Sequence, residues 1–185
     1  MPKPTHRRGP GREREKSEFD QYILDLARVT RVTEGGKQLS FRACVVIGDR
    51  KGRVGYGVAK GADVQLGVDK AARQARKNLI TVPIINETIP HRVVCKFKAA
   101  TIMLKPAPRG SGIIAGGAVR AVLEFAGVPN VSSKILGKTK NKIVVVKATF
   151  EALKSFKRAA VEKANQKSQP IQPKPVEQKV EAKKE

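Results

Sequence analysis

The most informative segment of this chain is Gly48-Asp49-Arg50-Lys51-Gly52-Arg53-Val54-Gly55-Tyr56-Gly57-Val58-Ala59-Lys60-Gly61. Its first residues have the composition of a tight turn, and the rest reads as a strand studded with glycine. Glycines at positions 52, 55, 57 and 61 leave this strand few side chains, so another backbone can approach it closely. The stretch predicts a hairpin strand in close contact either with a phosphate backbone or with another part of the protein. The cations along it favour the phosphate backbone.

The neighbouring segments complete a unit of strands and one helix over residues 18–85. Tyr22 to Thr33 is rich in β-branched residues, and Gln38 to Ile47 is nearly continuous in apolar ones, with Gly35-Gly36 as a turn between them. From Asp63 to Leu79, apolar residues recur at three- and four-residue spacing, which indicates a helix with one buried face. We therefore predict three antiparallel strands with one helix packed across them.

Residues 86–158 predict a second, small α/β unit, so the fold class is α+β. Its predicted strands and helices are Val93–Phe97, Thr101–Lys105 and Val131–Leu136, and Gly116–Phe125 and 141–157. The Val144-Val145-Val146 run in the last helix is equally compatible with a strand. Residues 1–17 and 159–185 are rich in Pro, Lys, Arg and Glu without an apolar period, and we expect them to be disordered basic tails.

The net charge of +22 is the strongest indication of function. Residues 18–158 hold 26 Lys and Arg against 10 Asp and Glu, so the excess lies in the folded part. Such an excess destabilises a compact state unless a polyanion neutralises it, and nucleic acid is the natural polyanion. No 18-residue apolar stretch or signal peptide appears, so we expect no membrane partner. Aromatic residues make up only 4% of the chain, which argues against stacking on single-stranded bases.

Three basic clusters are the candidate RNA contacts. Their residues are Arg28, Arg31, Lys37 and Arg42 in the first hairpin, Arg50, Lys51, Arg53, Tyr56 and Lys60 in the glycine-rich stretch, and Arg109 and Ser111 in a later loop. The alternative is that these are solvated cations on ordinary loops. At the start of the helix after Arg109, backbone amides can bind an anion. Alternatively, Gly116 and Gly117 pack the helix closely on the sheet, and a protein partner can use the same surface.

The sequence gives little support to an enzyme. Ser132 to Thr139 nearly matches the phosphate-loop pattern, but a serine replaces the first glycine and no Walker B strand is evident. Histidines and acids form no recognisable catalytic constellation, so we expect no small-molecule substrate. Cys44 and Cys95 lie apart in apolar runs, which predicts two buried free thiols and neither a metal site nor a cofactor.

Over about residues 21–157 the chain resembles the bacterial members of the universal small-subunit ribosomal protein five family. The residues that carry the resemblance are Gly35-Gly36-Lys37-x-x-Ser40-Phe41-x-Ala43, Gly48-Asp49-x-x-Gly52-Arg53-Val54-Gly55-Tyr56-Gly57-x-Ala59-Lys60, Lys70-Ala71-x-x-x-Ala75-Arg76-Lys77-Asn78 and Gly110-Ser111-Gly112-Ile113-Ile114-Ala115-Gly116-Gly117-Ala118-Val119-Arg120-Ala121-Val122-Leu123-Glu124. Both tails fall outside it.

The resemblance implies a first domain like a double-stranded RNA-binding domain and a second domain with a split β-α-β arrangement. It implies a place on the 16S rRNA of the cytoplasmic small (30S) subunit, beside ribosomal proteins four and eight, with roles in assembly, decoding accuracy and the channel through which mRNA enters. The hairpin tip from Arg28 to Lys37 would reach toward the hinge between head and body. Gly110, Gly112 and Arg120 would lie at the seam with protein four. A free-standing duplex-RNA chaperone and a nucleotide-dependent enzyme are the alternatives.

Overall fold

The computed structural model describes residues 18–156, and the tails predicted to be disordered lie outside them. In chain order the elements are β1 (Asp20–Thr33), β2 (Gly36–Gly48), β3 (Arg53–Gly61), α1 (Val64–Lys77), β4 (Leu79–Thr81), β5 (Val93–Phe97), β6 (Ala100–Pro106), β7 (Ile113–Ile114), α2 (Gly117–Ala126), β8 (Val131–Ile135) and α3 (Lys142–Lys154). They form two four-stranded sheets, ordered β1-β2-β3-β4 and β5-β6-β8-β7. The predicted α+β class is confirmed, as is a β-α-β unit in which α2 connects the parallel strands β7 and β8.

The first hairpin is longer than the sheet that it belongs to. β1 and β2 pair antiparallel from Asp20↔Gly48 to Thr33↔Gly36, whereas β3 pairs only with residues 41–48 of β2. Residues 29–40 therefore project beyond β3 as a two-stranded extension, and we call this extension, together with Arg28 at its base, the arm. Almost every residue of the arm is exposed, so internal packing does little to fix its orientation.

The prediction of three strands was incomplete, because a fourth strand follows α1. The helix ends at Asn78, whose N–H donates to the carbonyl of Ala75. Leu79, predicted as helix, is instead the first residue of β4, which pairs with Arg53–Gly55 of β3. A three-residue strand is too short to show a periodicity of its own.

The close backbone contact predicted for the glycine-rich strand is made with α1. A Cβ atom at Gly55 or Gly57 would overlap the carbonyl oxygens of Ala75 and Ala71, and one at Gly61 would stand 2.7 Å from the amide nitrogen of Gly67. The sequence favoured a phosphate backbone at this face, and that interpretation was wrong. The helix lies there because the strand offers no side chain to hold it away.

The second sheet carries α2 and α3 and contains one element that the sequence did not indicate, the two-residue strand β7. The Val144-Val145-Val146 run lies in α3. It is helical because Asn141 caps the helix: the Asn141 side-chain oxygen accepts the N–H of Ile143 and of Val144. α2 ends as predicted at Gly127, whose φ of 77° is the left-handed value that favours glycine.

One hydrophobic cluster joins the two sheets. It combines Cys44, Val46 and Val54 of the first sheet with buried residues of α2 and α3, such as Val122 and Phe150. The free thiol of Cys44 is buried as predicted, but the free thiol of Cys95 is only half-buried. The domain boundary at residues 85/86 stays a prediction.

Candidate nucleic-acid interface

The arm carries three exposed cations, Arg28, Arg31 and Lys37. None of the three makes an ion pair within residues 18–156. The turn at the tip is held by the Thr33 hydroxyl, which donates to the carbonyl of Gly36 at 3.1 Å. The arm therefore presents its cations to a partner without first having to break a salt bridge.

Cross-strand register divides the hairpin cations between two faces. Arg28 lies opposite Phe41 and Lys37 opposite Val32, which places both on the sheet face that α1 packs against. Arg31 lies opposite Gln38 on the other face. Arg42 shares that other face and lies beside Lys60 of β3. A partner that contacts all of these cations must therefore contact both faces of the hairpin.

Arg42 also belongs to an ion-pair cluster that no sequence pattern indicates. The Asp25 carboxylate lies 3.6 Å from the Arg42 guanidinium and 3.3 Å from the Lys142 ammonium at the start of α3. A β-bulge between Ile23 and Asp25 breaks the regular alternation of β1 just before the carboxylate. The cluster ties the base of the arm to α3, so part of the Arg42 charge is neutralised within the protein.

Two of the three cations at the 49–52 turn, Arg50 and Arg53, are engaged by acids. Arg50 pairs with Asp20 at 3.2 Å, and the Arg53 Nε pairs with the Asp49 Oδ2 at 2.6 Å. The Arg53 guanidinium also lies 5.1 Å from the centroid of the Phe19 ring, in a cation–π arrangement. Lys51 is exposed, with no ion pair within residues 18–156, which makes it the freest cation of the turn.

The turn itself is a docking element between the sheets. The N–H of Arg50 donates to the carbonyl of Phe125 at 3.2 Å, and the N–H of Gly52 to that of Ala126 at 2.9 Å. A Cβ at Gly127 would overlap the carbonyl oxygen of Arg50. The backbone of the turn is therefore committed to the end of α2, and only its side chains can reach a ligand.

Asp49 organises this turn. Its Oδ1 accepts the N–H of Lys51 at 2.8 Å and the N–H of Arg53 at 3.0 Å. Burial pushes the pKa of the Asp49 carboxyl upward, but the hydrogen bonds from the Arg53 side chain and from the two amides prevail and lower the pKa below its usual value. Asp49 thus stays ionised and holds the guanidinium of Arg53 in place.

Beyond the predicted clusters, α1 adds an exposed cationic stripe on the side away from the sheet. Its members are Lys70, Arg73, Arg76 and Lys77, none of which has an ion pair within the described part of the chain. The buried face of the same helix is built from Ala71, Ala72 and Ala75. This division follows from the spacing of the cations and alanines, which matches the helical period.

Tyr56 is placed differently from the cations around it. Its ring meets Phe150 of α3 edge-on, with centroids 4.5 Å apart, and it is half-buried. Burial, together with the nearby Glu151 and Cys44, raises the pKa of the Tyr56 hydroxyl. The ring belongs to the packing between the two sheets, which leaves only part of the side chain accessible to RNA.

The later loop brings together Arg109, Gly110, Ser111 and Gly112 at the edge of the second sheet. Gly110 and Gly112 have φ values of 83° and 68°, which glycine adopts at little cost. The N–H of Gly112 donates to the Asn130 side-chain oxygen at 3.1 Å. The Arg109 Nε lies 3.8 Å from a Glu87 carboxylate oxygen. These contacts attach the loop to Asn130 and Glu87, and they leave Arg109 and Gly110 exposed.

Arg120 lies near this loop on α2. It donates from Nη2 to the carbonyl of Ile113 at 3.1 Å, so that it reaches back over the start of its own helix. Gly116 packs there as the alternative interpretation expected: a Cβ would come within 3.1 Å of the Ile135 side chain. Gly117 has open space around it. Gly116 therefore packs closely against the sheet, whereas the helix start at Gly117 is accessible.

The segment that resembles a phosphate loop has the wrong backbone geometry for one. The N–H groups of Leu136 and Gly137 both point to the carbonyl of Thr101, at 2.8 and 3.4 Å. The first free amides of α3 are taken by the Asn141 side chain. A phosphate loop needs such amides to converge on its ligand, and here they are occupied by the protein itself.

Two other classes of site are absent from residues 18–156. No helix there is long and apolar enough to cross a membrane. Within the same residues, no three His, Cys, Asp or Glu side chains lie close enough together to hold a metal ion.

Comparison with known proteins matches both halves of the chain. The family described as "Ribosomal protein S5, N-terminal domain" matches residues 19–83, and "Ribosomal protein S5, C-terminal domain" matches residues 95–167. The chain is 50% identical over 145 residues to the "Small ribosomal subunit protein uS5" of Mycoplasma mobile, an alignment that covers 78% of this chain. The chain spans 59% of the length of that relative.

Proposed function

The chain belongs to the ribosomal protein S5 family, and on that premise we propose that it is a structural, non-enzymatic constituent of the small ribosomal subunit that binds the 16S rRNA. The main support for RNA binding comes from the arm. It projects beyond β3 and exposes Arg28, Arg31 and Lys37 on both faces without acidic partners. An extended cationic hairpin is suited to insertion between segments of an RNA, where phosphates surround it.

The binding mode that fits this surface is electrostatic and steric. Duplex RNA is recognised mainly by shape, through phosphate and 2′-hydroxyl contacts. The arm and the α1 stripe supply cations for such contacts, and few aromatic rings are available for stacking on bases. Each phosphate contact releases counterions, so affinity for naked RNA should fall steeply with salt.

The proposed protein neighbours are ribosomal proteins four and eight of the small subunit. The seam with protein four would run along Gly110, Gly112 and Arg120, where the loop after β6 reaches the surface near the exposed Arg120. Opening or closing of this seam as the subunit changes state would link the protein to decoding accuracy. We further propose that the protein acts in the cytoplasm, where it supports assembly of the small (30S) subunit. On that subunit it would contact mRNA at the entry channel.

Sedimentation of cell extract through a sucrose gradient at moderate salt tests the proposal. We expect this chain to sediment with the small subunit and to remain bound after a moderate-salt wash. A variant with Arg31→Glu and Lys37→Glu should be depleted from the small-subunit peak. A variant with Lys96→Glu and Lys98→Glu, two exposed cations of β5 and its turn, changes the net charge equally and should not be depleted. A peak at the top of the gradient would instead indicate a free duplex-RNA binder.

A further inference from the structure

The second sheet has an open edge next to β7. β8 pairs with β6 along its whole length, from Val131 to Ile135, but with β7 only at Val131 and Ser132. Within residues 18–156, no strand pairs with residues 133–135 of β8 on the β7 side. Unpaired strand edges are templates for the addition of another strand.

The backbone groups at this edge can be identified from the bonds on either side. The N–H of Val131 donates to Gly112 on the β7 side at 3.1 Å, whereas the N–H of Leu136 donates to Thr101 on the β6 side at 2.8 Å. The backbone N–H and C=O groups of successive strand residues point in opposite directions within the sheet. The backbone groups of the odd-numbered residues of β8 therefore point toward β7. The N–H and C=O of Ile135 and the C=O of Ser133 therefore lie on the side where β7 has ended.

A groove of about 420 Å³ lies against this edge, with Ile114, Gly116, Arg120, Ser133 and Lys134 among its lining residues. No acidic side chain lines it. Ile114 is 56% exposed, and the side chain of Ser133 is buried with its hydroxyl unpaired within the described residues. The groove thus combines an apolar contact, an unpaired hydroxyl and two cations with a free strand edge.

We propose that an extended, acidic segment of a partner protein adds to β8 at residues 133–135 and continues the line of β7. Main-chain hydrogen bonds to the open edge would supply affinity, as in other cases of strand addition. The side chains of Ser133 and Lys134, which are adjacent in β8, lie on opposite faces of the sheet. Arg120 lies on α2, which covers one of these faces. Acidic side chains on either face of the added strand would therefore meet a cation.

The geometry favours a polypeptide over an RNA phosphate. The open groups of Ser133 and Ile135 include carbonyl oxygens, which repel a phosphate and which only a donor such as a peptide N–H can satisfy. The inference rests on the proposed function in one respect: it gives a chemical identity to the partner expected near Arg120. It does not depend on RNA binding, so the two can fail separately.

The test uses the full chain and a short fluorescent peptide of alternating valine and glutamate, followed by anisotropy. Two N-methylated versions of the peptide, blocked at the valine amides or at the glutamate amides, serve as a matched pair. We expect saturable binding by the parent peptide, loss of binding for one N-methylated version only, and slower hydrogen exchange at the amide of Ile135. The variant with Arg120→Glu and Lys134→Glu should bind about tenfold more weakly. The control variant with Lys96→Glu and Lys98→Glu should bind as the parent chain does.

Each of four other results would overturn the proposal: no saturation at about 1 mM peptide, equal binding by both N-methylated peptides, an Ile135 amide already protected in the free chain, or protection of that amide by duplex RNA instead of peptide. If the chain sediments with small subunits but ignores the peptide, only the strand addition is wrong. If it binds the peptide but sediments alone, only the ribosomal proposal is wrong.

Discussion

Gly57 of β3 lies so close beneath Ala71 of α1 that a Cβ at position 57 would overlap the Ala71 carbonyl oxygen. Because the clash is with backbone, neither element can yield locally, and α1 would have to move away from the sheet. We expect Gly57→Ala to reduce the free energy of unfolding by about 3 kcal/mol. Gly35→Ala is the control, because no atom lies within 4 Å of a Cβ at position 35; its effect should stay within about 0.5 kcal/mol. Urea unfolding of both variants measures the difference, and equal midpoints would show that α1 tolerates displacement.

The Asp25 carboxylate joins the base of the arm to α3 through Arg42 and Lys142. Asp25 is mostly buried, with 23% of its side chain exposed, so its ion pairs are less screened by salt than surface pairs. Asp25→Asn should therefore lower the free energy of unfolding by about 1 kcal/mol. Asp20→Asn breaks a single exposed pair with Arg50 and should cost less than about 0.5 kcal/mol. Should the two variants be equally stable at low salt, the cluster contributes nothing beyond an ordinary surface pair.

Asp49 should make the free energy of unfolding depend on pH in the acidic range. The pKa of its carboxyl is lower in the folded than in the unfolded chain, so its ionised form stabilises the fold above the unfolded value and the stabilisation is lost as pH falls through the folded value. Replacing Asp49 by Ala should cost about 1–2 kcal/mol at neutral pH. The same replacement should flatten the decline in stability below about pH 4. Urea titrations at a series of acidic pH values provide the measurement, and parallel curves for the two proteins would contradict the assignment.

The two thiols should differ in reactivity. Burial, reinforced by the Asp25 charge, raises the pKa of Cys44 to about 11, which leaves roughly one thiolate in 1,000 at pH 8. Burial also raises the pKa of Cys95, but that side chain is only half-buried. In the native protein we expect iodoacetamide to modify Cys95 well before Cys44, as read by mass spectrometry of peptides. Early modification of Cys44 would mean that the shared core opens readily.

Charge reversal on one face of the arm should weaken RNA binding in a salt-dependent way. Arg28 and Lys37 share the face toward α1 and have no ion pairs within residues 18–156. Log affinity falls as log salt rises. If each of the two residues contacts a phosphate, the variant with Arg28→Glu and Lys37→Glu should make this slope less steep by about 2. Filter binding to small-subunit rRNA over a range of salt measures the slope. An unchanged slope would place the RNA elsewhere, and the variant with Lys96→Glu and Lys98→Glu controls for net charge.

Most local elements of this protein, and its large positive charge, follow from the amino-acid sequence alone. Apolar periods and the turn and cap residues located three strands and α1 of the first sheet, and α2 and most of the strands of the second. The charge of +22 indicated a polyanion. These properties are local or additive, because a strand or helix period is carried by residues a few positions apart and charge is a sum over the chain.

The neighbour that each residue meets depends on how distant segments of the chain pack together. The tertiary structure placed α1 over the glycines of β3, paired Arg50 and Arg53 with acids, and brought Asp25 beside Lys142 from the far end of the chain. Short strands such as β4 and β7 also escaped the sequence, because they exist only through their pairing partners. Contacts between distant segments depend on how the whole chain packs, and no periodicity of a single segment encodes them.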